Sequence, residues 1–330
     1  MKNNKVIKRI ALIFILFVLF IFFNNSSLFT KERSEYPVLL AHAAMSQTYP
    51  MEGLTGDTCT AERIYEPEHP YIGNTIPSME AAYKAGADVV ELDIHPTTDG
   101  EFAIFHDWNL ECRTNGKGVT RDHTMEELKK LDVGYGYTAD NGKTYPFRGK
   151  GIGLMPTLHE VLTYFPNKKF LINIKSNDED EGAKLADYLS SFSDERIRQL
   201  SAYGGDQPIA ALKQRLPELR VMSMETMKSC LIPYIAAGWT GYTPSACENT
   251  QLHIPEKIAP WLWGFPTKFL NRMDAANTRV VLVAGNAKWS EGFDGAQDIE
   301  RLPANYNGVI WTNRVDVVAP IIRGKSYGGE

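Results

Sequence analysis

The chain is short of several things, and each shortage removes a class of protein. Only four cysteines occur in 330 residues, Cys59, Cys112, Cys230 and Cys247, and no two of them form a Cys-x-x-Cys pair. That argues against a zinc module or a thioredoxin-like redox site. Positive charge is not in excess. Lys and Arg number 35 against 40 Asp and Glu, a formal net charge of −5, which disfavours a nucleic-acid partner bound through phosphate neutralisation. A small anionic substrate stays open, because it needs only a local positive spot. Glycine and proline, 26 and 18 residues, are too few for a collagen-like or low-complexity chain. No internal repeat is visible. Beyond the amino end, no apolar run approaches the length of a membrane span.

The amino end is different. Lys2, Lys5, Lys8 and Arg9 precede an uninterrupted apolar run, Ile10 to Phe23, with no acid among them. Asn24 to Thr30 adds no charge, and Lys31, Glu32 and Arg33 close the segment. A cleaved signal peptide has an apolar core of this length, but also a small-residue cleavage site. No Ala-x-Ala follows here, and Ser26 and Ser27 are poor substitutes. The expectation is an uncleaved single anchor over 1–33, with secretion after cleavage as the alternative. Positive residues before the run place the amino end in the cytoplasm and the body, 34–330, outside. In an exported body four cysteines allow three pairings. The short loop favours Cys230–Cys247, and four buried thiols are the other reading.

Strand and helix signals alternate along the body. Strand candidates lie near residues 38, 89, 102, 170, 198, 221, 280 and 309. Most are separated by long crossovers, as parallel pairing requires. A helix is expected over Ser78 to Ala85, stopped by Gly86, and another over Thr124 to Leu131, which Thr124 and Glu127 can cap reciprocally. Further helices are expected over Leu158 to Phe165, 182–190, 209–215, 227–237 and 271–276. Count and length fit an α/β architecture, a (β/α)8 TIM barrel with long insertions. Residues 43–77 and 239–270 read as irregular insertions, and only a turn joins the second and third strands. The pattern alone leaves a doubly wound sheet open.

Chemistry-bearing residues collect at strand ends. Glu91 and Asp93 are two apart in VVELDI, so both point to one face. Two carboxylates projecting together from an apolar strand repel each other and lose solvation. A hard divalent cation, Mg2+ or Ca2+, relieves both costs. His95 shares that face but precedes Pro96 and can simply end the strand. His106 and Asp107 follow the strand EFAIF, and His42 ends VLLA in the same way. Two histidines at strand ends beside two carboxylates suit general acid–base cleavage of a phosphate ester. Asn173 and Lys175 face one way in FLINIK, the first with an oxygen for a metal, the second with a charge for a phosphoryl group. Asn74 and Arg113 are polar loop residues near the expected mouth. His69, His123, His159 and His253 read as surface or packing residues.

The segments LLAHAA, GNTIPSMEAAYKAGADVVELDIHPTTDGEFAIFHDWNLECRTNGKG, FLINIK and GVIWTNR resemble the glycerophosphodiester phosphodiesterase family. The resemblance spans roughly residues 38–320, dense from Asn74 to Gly118 and thin from 180 to 300. It implies a TIM barrel with its site at the carboxyl ends of the strands. It also implies that His42 and His106 act as general acid and base, that Glu91 and Asp93 hold Ca2+ or Mg2+, and that Lys175 contacts phosphate. The Asn173 position usually carries a third acid. Sister branches on this barrel cleave phosphoinositides and sphingomyelin.

Three departures stand out. The usual His-Arg-Gly is His42-Ala43-Ala44, the usual Glu-Asn-Thr is Gly73-Asn74-Thr75, and the third metal carboxylate is Asn173. One missing carboxylate lowers the anionic ligand count and hence metal affinity. The expected reaction is metal-dependent hydrolysis of a small glycerophosphodiester to glycerol 3-phosphate and an alcohol. The nucleophile is either the neighbouring glycerol hydroxyl, through a cyclic phosphate, or water. Alternatives are a phospholipase that removes lipid headgroups and a degenerate, ligand-binding barrel. Tyr135, Tyr137 and Tyr145, and later Trp261, Trp263 and Phe265, either line a lipid entrance or cover the rim. Asn313, after the last strand, can touch the headgroup.

Overall fold

The computed structural model describes residues 2–28, 30, 36–56, 58–285, 291–304 and 306–324. Phe29, Lys31, Glu32 and Arg33, and with them the expected 33/34 boundary, lie outside the described residues. Helix α1, Lys2–Asn25, contains one stretch long and apolar enough to cross a membrane, Lys5–Asn25.

Among the described residues nine strands follow: β1 Val38–Ala41, β2 Val89–Pro96, β3 Phe102–Ile104, β4 Lys169–Ile174, β5 Leu200–Gly204, β6 Arg220–Met222, β7 Gln251–Pro255, β8 Arg279–Val283 and β9 Val309–Thr312. Between them run α2 Ile76–Ala85, α3 Met125–Leu128, α4 Leu158–Tyr164, α5 Glu179–Leu189, α6 Asp194–Arg198, α7 Asp206–Arg215, α8 Met224–Ala237, α9 Thr267–Ala275 and α10 Ala296–Glu300, with α11 Val315–Gly324 last. Eight strands pair in parallel in the order β6-β5-β4-β2-β1-β9-β8-β7, and β6 meets β7 at an isolated Val221–Thr250 bridge. The sheet is therefore a nearly closed (β/α)8 barrel, which removes the doubly wound alternative.

One strand of the expected eight was misplaced. β3 is not a stave of the barrel. It pairs antiparallel with β2 as a hairpin arm, which is why only a turn joins the two. The eighth stave is β7, inside the stretch read as an irregular insertion. Its alternation hides it. Leu252 and Ile254 face the helices, whereas Gln251 and His253 face the barrel interior, so the strand carries none of the apolar run that marks a buried parallel strand. His253 accordingly sits within a strand rather than a loop.

Parity decides what enters the barrel. Leu40, Val89, Leu171, Val281, Val309 and Trp311 form the inner plug, while Leu39, Val90, Leu92, Phe170 and Ile172 pack outward against the helices. Each such fully buried side chain stabilises by about 1.5–3 kcal/mol. The local signals hold: Thr75 and Ser78 form a capping box on α2, which ends at Gly86 with φ 118°, and Thr124 with Glu127 caps α3. α3 ends at Leu128, shorter than expected. All four cysteines are paired, as Cys59–Cys112 and Cys230–Cys247. The first bond ties the long β1–α2 connection to the segment after β3.

Candidate active site

The inner parity continues past the plug to the carboxyl ends of the strands. Register sets Leu40 beside Val89, Asp93 beside Asn173, and Asn173 beside Tyr203. One step along β1, the His42 backbone N–H donates to the Thr312 carbonyl at 3.0 Å. His42, Glu91, Asp93, Asn173, Tyr203 and Asn313 thus meet in one polar layer above an apolar plug.

Glu91 is wholly buried. Its carboxylate accepts from the Ala43 backbone N–H at 2.9 Å and from the Tyr203 hydroxyl at 2.7 Å. Asp93, equally buried, accepts from Asn74 Nδ2 and Asn173 Nδ2, both at 2.8 Å, and pairs with Lys175 Nζ at 3.3 Å. Asn74 also accepts the Asp93 backbone N–H, and its φ of 61° is one that Asn tolerates well. Burial and the neighbouring Asp93 push the Glu91 carboxyl up to about 8, against the pull of its two hydrogen bonds. Burial also works to raise Asp93, but Lys175 and the Asn74 hydrogen bond prevail and hold it below the usual carboxylate range.

Each histidine has its own orienting chain. His42 Nδ1 lies 2.7 Å from Asn313 Oδ1, while Asn313 Nδ2 and its backbone N–H donate to Asp294 at 2.9 and 2.6 Å. Burial raises the Asp294 pKa, but the Thr312 hydroxyl and both Asn313 nitrogens donate to its carboxylate, so the Asn313 amide presents its oxygen to the ring. His42 therefore carries its proton on Nδ1 and leaves Nε2 as a lone pair, 4.0 Å from Glu91 Oε2. Burial lowers its pKa to about 4, so the ring is neutral at pH 7. The Trp311 ring packs against it at 4.7 Å. His106 is more open: its side chain is 38% exposed against 12% for His42. Its Nδ1 lies 2.7 Å from Asp107 Oδ1, and Asp107 Oδ2 lies 3.0 Å from Arg113 Nε. Arg113 is fixed by Tyr137 at 2.8 Å and Thr60 at 2.7 Å. Burial works to raise Asp107, but Arg113 and His106 outweigh it and hold the carboxyl well below its usual range.

A cavity of about 420 Å3 opens beside both histidines, with Asn74, Arg113, Asn313 and Arg314 also on its wall. Its lining also includes the apolar and aromatic residues Tyr49, Met51, Tyr65, Ile72, Tyr137 and Met155, contributed by the long connections.

The description "Glycerophosphoryl diester phosphodiesterase family" matches residues 61–254. The chain belongs to this family. Glycerophosphodiester phosphodiesterases from Caldanaerobacter subterraneus and Bacillus subtilis are 40% and 42% identical over 102 and 118 residues, 31% and 34% of this chain. Those matches span only 38% and 37% of the relatives' own length. Among solved structures, the family's Agrobacterium tumefaciens enzyme superposes with a TM-score of 0.59 at 17% identity, covering 87% of this chain and 99% of its own. An Oleispira antarctica phosphodiesterase in complex with the product sn-glycerol-3-phosphate gives 0.54 at 17%, covering 87% and 97%. At these identities the likeness is one of fold.

The family's departures in this chain now have surroundings. Ala43 and Ala44 hold left-handed φ of 49° and 64°; at Ala44 the usual glycine is unstrained. A Cβ on Gly73 would meet Ser46 Cβ at 2.9 Å and the Ala43 carbonyl at 3.1 Å, so the usual glutamate has no room here without a shift. Asn173, expected to offer its oxygen to a metal, here donates its amide nitrogen to Asp93. Among the described residues, no group of three or more His, Cys, Asp and Glu is placed to hold a metal ion. The residues that sequence reasoning missed are Tyr203, Asp294 and the Asp107–Arg113 pair as a unit; only the fold places them. The aromatics divide. Tyr137 lines the cavity, Tyr135 and Tyr145 sandwich Arg148 at 4.0 and 3.6 Å, and Phe265 packs on Phe269. Trp261 and Trp263 line no part of the cavity. His95 is buried edge-on to Trp108, at the far end of the Glu91–Asp93 face.

Proposed function

We propose that this chain hydrolyses glycerophosphodiesters to glycerol phosphate and an alcohol, with 34–330 as the catalytic barrel held outside a membrane by α1. One observation carries the reading. Two histidines from distant segments face one cavity, and their orienting partners are of opposite kind. His42 is neutral, with Nε2 free to accept a proton, so it serves as the base toward the nucleophile, either water or the neighbouring glycerol hydroxyl, whose cyclic phosphate water then opens. Asp107 holds His106 through Nδ1 and so orients its Nε2 as the donor to the leaving alcohol oxygen. Lys175 and Asn74 bind the phosphoryl oxygens, and Asn313 sets the His42 tautomer while facing the headgroup.

Glu91, Asp93 and Asn173 are hard oxygen donors that suit Ca2+ or Mg2+, with Asn173 joining once its amide turns over. When bound, such an ion supplies stabilisation of charge developing on the phosphoryl oxygens. The lost third carboxylate points to weak binding of that ion. The Oleispira enzyme's product, sn-glycerol-3-phosphate, is the product expected here.

The test is turnover of glycerophosphocholine by the full chain in detergent, with Mg2+, Ca2+ or EDTA, and with His42→Ala and His106→Ala. Metal-restored release of glycerol phosphate, lost in both variants, is expected. Near-full activity in either folded variant sinks the two-histidine scheme. The cavity's apolar lining favours a second reading, in which the glycerol carries an acyl chain and the headgroup is still the alcohol released. A human relative, 30% identical over 128 residues, is named a lysophospholipase D. A higher kcat/KM for lysophosphatidylcholine than for glycerophosphocholine would select that reading.

A further inference from the structure

The amino-terminal helix does not hang free of the barrel. Asn24 and Asn25 donate their side-chain amides to the Trp239 carbonyl at 3.0 and 2.9 Å. Arg272 on α9 donates to the Asn24 carbonyl at 2.8 Å and to Asn25 Oδ1 at 3.1 Å. The same guanidinium holds the Tyr234 hydroxyl and the Gly238 carbonyl, which fixes it against the end of α8. Deeper along α1, the rings of Phe17 and Phe20 pack on Trp239 with centroids 5.4 and 6.4 Å apart. Phe17 precedes Asn24 by two helical turns, about 10 Å along the axis. A side chain of the barrel therefore lies alongside the apolar body of the helix, not merely at its end.

The surface around this junction is apolar and uncharged. Residues 229–247 and 258–267 contain no Asp, Glu, Lys or Arg. Ile232, Ile235, Tyr242, Ile258 and Trp263 are exposed there, and Trp261 is 85% exposed. The patch is continuous: Trp263 Nε1 donates to the Ile235 carbonyl at 2.9 Å, which fastens the 258–263 turn to α8. Tryptophan and tyrosine on an uncharged surface are the side chains that the headgroup region of a bilayer favours, with an apolar ring and a polar handle.

We propose that this face, the end of α8 with the 238–242 and 258–263 turns, rests in the headgroup region of the same bilayer that α1 crosses. The barrel is seated on the membrane rather than tethered to it. The occupant is a bilayer because the patch continues the apolar surface of α1 where that helix meets the barrel. α8 and α9 follow β6 and β7, which stand across the ring from β1 and β2. The seated side is therefore opposite the strands that carry His42, Glu91 and Asp93. This inference rests on α1 as a membrane helix and not on the catalytic reading.

The test uses the full chain in phosphatidylcholine vesicles whose acyl chains are brominated, compared with unbrominated vesicles. Bromine quenches tryptophan emission at short range. Co-flotation with the vesicles is expected, with quenching that drops by half or more in the W261F/W263F variant and is unchanged in W108F, all with native circular dichroism. Quenching that W261F/W263F leaves unaltered overturns the proposal. So does a chain that does not float with vesicles. Trp261 and Trp263 shielded from aqueous acrylamide yet unquenched by bromolipid would mean that a protein, such as a second copy, covers the face, and overturns it equally.

Discussion

Asp294 never touches the cavity's reacting groups directly, yet the hydrogen bonds make it the residue on which His42 depends. Its Oδ1 accepts from two donors, the Asn313 backbone N–H at 2.6 Å and the Thr312 hydroxyl at 3.1 Å. In Asp294→Asn the amide oxygen must stay at that position, so the new nitrogen faces Asn313 Nδ2. Two amide nitrogens cannot share a hydrogen bond. Asn313 therefore turns over and presents its nitrogen to His42 Nδ1, and the ring proton moves to Nε2. The base is lost without any change in shape. The free energy that held the correct orientation is that of a hydrogen bond to a charged group, about 1.5–3 kcal/mol. At about 1.4 kcal/mol per factor of ten, kcat should fall roughly ten- to a hundredfold, with KM little changed. Initial rates of glycerol phosphate release read the effect. Nitrogen NMR of the His42 ring reads the tautomer without catalysis. A folded Asp294→Asn protein with kcat within twofold of the parent and its proton still on Nδ1 would refute the relay.

Other consequences can be checked directly. Asn173→Asp restores a third carboxylate beside Glu91 and Asp93, and titration calorimetry should show tighter Ca2+ or Mg2+ binding; no gain would place the ion elsewhere. Arg113→Met strips the buried partner from Asp107 and should cost about 3–5 kcal/mol in chemical denaturation. The same pair shapes acid stability. The folded-state pKa of Asp107 lies below its unfolded value of about 3.9, so the pair's contribution is complete above that pH and is lost as pH falls. The acid slope of unfolding free energy should flatten in Arg113→Met, and an unchanged slope counts against the pairing. The Cys230–Cys247 bond closes a span of 17 residues, and replacing both cysteines with serine should cost about 3 kcal/mol. Equal denaturation midpoints with and without the bond would contradict this.

Much of the site was legible because it is local. Glu91 and Asp93 share a face by strand parity alone, and His42, His106 and Lys175 stand at the ends of short apolar runs. The reciprocal cap at Thr124 and the stop at Gly86 likewise follow from neighbours in sequence. β7 was not legible, since half of its residues line a polar stretch of the barrel interior and interrupt the apolar signal. β3 was legible as a strand, but not as an arm outside the barrel, because pairing direction is set by the partner strand. The departures at Ala43, Gly73 and Asn173 were visible as letters; the tight fit around Gly73 and the turned Asn173 amide were not.

Sequence by itself determined the alternation of strand and helix, the paired carboxylates, the histidines and the apolar amino-terminal helix, all properties of short segments. Tertiary structure alone decided which distant segments meet. It set Asp294 behind Asn313, Arg113 behind Asp107, Tyr203 on Glu91, and α1 against the 238–240 turn and α9. Except for Arg113 and Asp107, these contacts join residues remote in the chain, and their coincidence depends on barrel closure and register, which no local pattern encodes.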